Sequence, residues 1–88
     1  MSSDPTNDPE ALLLAALAET LSDERRAHRF LEMTGLDSAT LRERADDPLT
    51  LGALVEFLEA YEPDLIAVAR GIGVTPEALI NARGRGGI

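Results

Sequence analysis

The feature that most constrains this chain is a repeated punctuation mark, a capping residue followed by proline, set just ahead of an apolar stretch. Asp8-Pro9 and Asp47-Pro48 carry it, and Thr75-Pro76 repeats it. An Asp or Thr side chain accepts hydrogen bonds from the unpaired N–H groups of a first helical turn. Proline at the first helical position brings a preset φ and has no N–H to satisfy. Each pair therefore opens a helix. Gly35 and Gly73 supply the matching stop signal, a residue able to adopt the left-handed conformation just past a helix end, each followed by an apolar residue, Leu36 or Val74.

The apolar spacing between these marks has a helical period. After Asp8, Leu13, Leu17 and Leu21 fall at i, i+4 and i+8, and Leu12 with Ala16 widens the stripe. Ser22 or Asp23 caps a second helix with Ala27, Phe30, Leu31 and Thr34 on one face and Arg25, Arg26, Arg29 and Glu32 outside. Asp37 caps a short third helix carrying Leu41 and Ala45. The fourth, from Pro48, has Leu51, Leu54, Val55 and Leu58 on one side and Ala53 and Phe57 on another, the pattern of a central, well-covered helix. Glu62-Pro63-Asp64 opens a fifth with Leu65, Val68, Ala69 and Ile72, and Thr75-Pro76 a last one with Leu79 and Ala82. No strand alternation and no Asn-Gly or Asp-Gly hairpin signal occurs. The expectation is an all-α bundle of five to six short helices, with the first and fourth the longest and most buried.

In 88 residues this makes one domain. Residues 1–7 read as a disordered arm, 8–83 as a single helical domain and 84–88 as a flexible tail. The two halves also match: Gly35-Leu36-Asp37 with Leu41 corresponds to Gly73-Val74-Thr75 with Leu79, 38 residues on. The chain thus reads as two tandem pseudo-repeats of a helix-helix-Gly turn-helix unit. Two copies are too few for an open solenoid, which needs about three, so a closed bundle is expected.

Composition removes several chemistries. There is no Cys, hence no disulfide framework and no thiolate metal site. The polar, acidic start is unlike a signal peptide, and the longest apolar run, Ala11 to Ala18, is eight residues against the ~20 that span a bilayer. A soluble, cytoplasmic protein is expected, with no membrane partner. Sixteen acidic residues against eight Arg and no Lys give a net charge of −8, a field that repels nucleic acid and anionic membranes.

The candidate sites are few. Glu24, His28 and Glu32 share a helix face at i, i+4 and i+8, but the Glu-x-x-His pairs of di-metal carboxylate bundles are missing, and a solvated face is the simpler reading. Glu56, Glu59 and Glu62 form an acidic run beside Tyr61 on the polar side of the fourth helix, where solvation keeps carboxylates ionised. Without a Ser-His-Asp grouping, a phosphate loop or an HExxH motif, the chain is read as a non-enzyme with no cofactor, no metal and no small-molecule substrate.

One motif supports a specific alternative. With Gly73 at its turn, residues 65–85 satisfy the apolar positions of a helix-turn-helix, Thr75 caps the would-be recognition helix, and Arg70, Asn81, Arg83 and Arg85 could meet a duplex. Glu77 and the overall charge of −8 oppose it, because the phosphate term that supplies non-specific affinity would have the wrong sign. Nucleic acid therefore ranks second. The leading expectation is a protein-interaction module, its partner another protein or a second copy. Eight consecutive apolar residues cover more than one helix face and require burial on more than one side.

Arg29-Phe30-Leu31-x-x-Thr34-Gly35-Leu36-Asp37-x-x-x-Leu41-Arg42, the following Asp-Pro, Val55-x-Phe57-Leu58 and Gly73-Val74-x-Pro76-Glu77-Ala78 together carry a resemblance over about residues 8–83. The chain resembles an uncharacterised family of small all-helical bacterial proteins, classed as a domain of unknown function. The resemblance implies a cytoplasmic helical domain and assigns no activity and no site residues.

Overall fold

Capping chemistry sets out six helices in the computed structural model, which describes residues 8–85, the side chains as far as residue 83. They are α1 (Pro9–Leu21), α2 (Glu24–Thr34), α3 (Ser38–Glu43), α4 (Pro48–Ala60), α5 (Glu62–Ile72) and α6 (Pro76–Arg85). The arm at 1–7 and the tail beyond 85 lie outside the described residues; of the expected tail, residues 84 and 85 belong to α6.

Five of the six helix starts carry a side-chain cap hydrogen bond. Asp8 Oδ1 accepts from the Glu10 and Ala11 N–H groups at 3.1 and 3.3 Å, Asp37 Oδ1 from Thr40 at 2.7 Å, and Asp47 Oδ1 from Leu49 at 2.8 Å. Thr75 Oγ1 accepts from Ala78 at 3.1 Å. Of the two candidates ahead of α2, Asp23 is the cap, accepting from Arg25 and Arg26, while the Ser22 hydroxyl donates back to Glu19 O. α5 alone starts from a residue, Tyr61, whose side chain makes no cap bond; Pro63 and the acidic Glu62 and Asp64 stand in its first turn, where both residue types favour a helix start. Among the described residues Gly35 (φ 74°) and Gly73 (φ 80°) have positive φ, both ending helices as read.

The core is aliphatic with one aromatic pair. Phe30 and Phe57 meet edge to face with ring centroids 5.4 Å apart, an arrangement the ring quadrupoles favour. Leu12, Leu13, Ala16 and Leu17 of α1 and Leu51, Leu54, Val55, Phe57 and Leu58 of α4 are buried, so the two 13-residue helices are the longest and most covered. α1 packs against α2, α4, α5 and α6. Thr20 is fully buried and satisfies its hydroxyl on the Ala16 carbonyl at 2.7 Å.

The halves agree in helix length for their first two members, 13 and 11 residues each, and diverge at the third. α6 has ten residues, buries Leu79 and Ala82 and packs on α1, α4 and α5. α3 has six and buries Leu41 alone. The correspondence is one of caps and lengths, not of packing, and does not establish a duplication. Ala45, expected on the third helix, lies two residues past its end, because α3 stops at Glu43.

Candidate functional site

Among the described residues, α3's thin attachment leaves one side of α1 open. The core takes Leu12, Leu13, Ala16 and Leu17 from α1, all 3% exposed or less. The same apolar run also contains Leu14, half-buried, and Ala18, exposed, and the next turn adds Leu21, 36% exposed. Leu14, Leu17, Ala18 and Leu21 form one wall of an open groove of about 410 Å³. Ala27 and Leu31 of α2 form the second wall. Ser38, Leu41 and Arg42 of α3, with Ala45, form the third. Its volume lies in the range of ligand-sized pockets, and its walls are nearly all aliphatic. A second hollow, of about 560 Å³, lies between Met33 and Leu49 and is bordered by the polar side chains of Arg44, Asp47 and Glu56.

The edge of α2 that faces away from the groove is fixed by a buried carboxylate. Asp64, in the first turn of α5, has a side chain 8% exposed. Arg29 Nη2 donates a hydrogen bond to Oδ1 at 3.2 Å, and its Nη1 lies 2.8 Å from Oδ2 as a charge contact without hydrogen-bond geometry. Arg26 Nε lies 3.4 Å from Oδ1 as a charge contact without hydrogen-bond geometry, while its Nη1 donates to the Glu19 carbonyl in the last turn of α1 at 3.3 Å. The Arg29 guanidinium also sits 5.8 Å from the Phe57 ring centroid and 5.4 Å from that of Tyr61, within cation–π range. The hydrogen bond to Asp64 raises the Arg29 pKa above its ordinary value, against a smaller desolvation cost.

This cluster corrects the reading of α2. Arg25, Arg26, Arg29 and Glu32 are expected outside, and Arg29 does lie at the surface, 45% exposed. Arg26 instead is nearly buried, at 12% exposure, and Arg29 pairs across to α5. The reason is the depth of Asp64: a carboxylate withdrawn from water recruits every cation within reach. On the exposed face His28 Nε2 and Glu32 Oε2 lie 3.2 Å apart, both side chains about 70% exposed. No group of three or more metal-ligating side chains is formed among the described residues. Glu56, Glu59 and Glu62 are exposed, and Glu56 meets Arg83 at 3.4 Å.

The structure also positions the helix-turn-helix candidates. α5 and α6 are bent 95° to one another across Gly73 and Thr75, within the 90–120° of that motif. Thr75 caps α6 and Asn81 and Arg70 are exposed, but Arg83 turns back to Glu56. Arg85 ends α6, its side chain outside the described range. Glu77 is the exposed residue of α6's first turn. No single helix among the described residues is long and apolar enough to cross a membrane.

Fold and groove together define a small all-α domain with an open aliphatic cleft between its first three helices. The chain belongs to the family described as "Protein of unknown function (DUF3572)", whose model matches residues 6–85, nearly its whole length. No curated protein and no solved structure matches it.

Proposed function

We propose that this protein is a non-enzymatic, cytoplasmic interaction module that binds an apolar segment of a protein partner in the groove between α1, α2 and α3. The observation that carries this reading is the division of the Ala11–Ala18 run. Half of it is consumed by the core, and of the other half Leu14 and Ala18, continued by Leu21, face a cleft that the described residues leave open. Apolar surface left in a concave site is the usual mark of a docking position, because covering it releases the cost of hydrating it. The Arg26–Asp64–Arg29 cluster supports the same reading, since it fixes the helix whose other edge lines the cleft.

The test replaces the exposed lining without altering charge, in the double variant Ala18→Gln/Leu21→Gln. Both residues lie outside the core, so the fold should persist by circular dichroism. A partner retained from native cells by the wild-type chain should be lost by the variant. Identical sets of bound proteins from both would refute the groove as the site.

The second reading, a helix-turn-helix binder of nucleic acid through Arg70, Thr75, Asn81, Arg83 and Arg85, is favoured by the 95° bend between α5 and α6. It ranks below the first because Glu77 leads the outward face of α6 and Glu56 occupies Arg83. A low-salt gel shift with mixed duplexes decides it; retarded duplex at micromolar protein would put this reading first.

A further inference from the structure

We infer that the occupant of the groove is a short amphipathic helix of a different protein, apolar on one face and cationic along its flanks, and not a second copy of this chain. The inference rests on the groove reading above and adds the chemistry of the partner.

Shape comes first. Leu14, Ala18 and Leu21 are spaced i, i+4 and i+7, a ridge running along α1 for two turns, or about 10 Å at 1.5 Å per residue. A ridge of that spacing fits the grooves of another helix, and Ala18, Ala27 and Ala45 keep the walls low enough for a close approach. An aliphatic cleft of this form takes a helix by its i, i+3/i+4, i+7 side chains.

Charge then selects which helix. One turn before Leu14 on the same stripe stands Glu10, and one turn before Ala27 on α2 stands Glu24. Both are exposed, and neither forms an ion pair among the described residues. Neither lines the cleft; helical spacing sets each one turn beyond a lining residue. Arg42 is the single cation of the lining, on the third wall, and calls for one acceptor in the occupant. Around this stands a net charge of −8, which draws a cationic segment and opposes a second chain bearing the same charge and the same two carboxylates.

Two synthetic helices of about four turns, sharing one Leu stripe and carrying either Lys or Glu on the flanks, test this by fluorescence anisotropy with the full chain. At low salt the Lys peptide should bind at least about tenfold more tightly, an advantage that shrinks as salt screens the field. Glu10→Gln/Glu24→Gln should lower that advantage several-fold, and Ala18→Gln/Leu21→Gln should abolish binding of both peptides. Equal binding of the two peptides, still abolished by the lining variant, would overturn the charge selection and leave the groove reading standing. If neither peptide binds and sedimentation shows a dimer that tightens with salt and is lost in the lining variant, the occupant is a second copy and the inference falls. If neither peptide binds and the lining variant changes nothing, groove and inference fall together.

Discussion

Removing the Asp64 carboxylate is the sharpest test of how this fold is held. In Asp64→Ala, Arg26 keeps its charge at 12% exposure with the nearer of its two counter-charges gone and Asp23, at 3.7 Å, the one that remains. Arg29, 45% exposed, can turn to water. Breaking a fully buried pair by deleting one partner costs about 3–5 kcal/mol. With one of the two cations able to rehydrate, the cost here should be lower, about 2–3 kcal/mol. For a domain of this size that corresponds to a drop in Tm of roughly 10–20 °C. Urea unfolding should show a lower midpoint with unchanged slope, since the buried surface is the same. Replacing both partners, in Arg26→Leu/Asp64→Leu, removes the stranded charge and should recover more than half of the loss, with a coupling above about 1 kcal/mol in the double-mutant cycle. A loss under about 0.5 kcal/mol in Asp64→Ala, with additive effects in the cycle, would show that the cluster does not hold α2 to α5.

Three further outcomes follow from local features. The Asp23 and Asp37 carboxylates have pKa values lowered from 3.8, each chiefly by a backbone hydrogen bond, from Arg26 and Thr40 respectively. Their contribution is complete above 3.8 and is lost as pH falls through the depressed values, so Asp23→Asn/Asp37→Asn, which keeps cap acceptors that do not titrate, should flatten the acid limb of a Tm–pH curve. An unchanged limb would show that the caps do not govern it. At Gly73, φ is 80° and an added Cβ meets nothing within 4 Å, so Gly73→Ala carries only backbone strain, about 1–2 kcal/mol, and Gly73→Asn less. Equal melting temperatures for the wild type and Gly73→Ala would contradict the left-handed turn. Phe30 is fully buried against Phe57, and Phe30→Ala should cost about 3–5 kcal/mol in chemical unfolding, with Phe30→Leu much milder. A loss below about 1 kcal/mol in Phe30→Ala would mean that the site collapses around the smaller side chain.

The six helices were legible in the sequence because the interactions that start and stop them span four residues or fewer. Asp8, Asp37, Asp47 and Thr75 bond N–H groups two or three positions on, and Gly35 and Gly73 close helices just behind them. The core followed as well, since periodicity brings Leu12, Leu13, Ala16 and Leu17 to one side whatever they meet. The excess of apolar residues in Ala11–Ala18 was equally visible; which of them stay uncovered was not. That depends on α6 packing closely on α1 while six-residue α3 is anchored by Leu41 alone.

The cluster beneath α2 was beyond sequence reading for a plainer reason. Arg29 and Asp64 are 35 positions apart, and at helical spacing Arg26 and Arg29 look the same as the solvated Arg25. Only the tertiary packing of α5, on α1, α4 and α6, withdraws Asp64 from water and brings it to the two cations of α2. Short-range hydrogen bonding thus decided the elements of this protein. Long-range burial decided which of its charges are paired and which part of its first helix is left open.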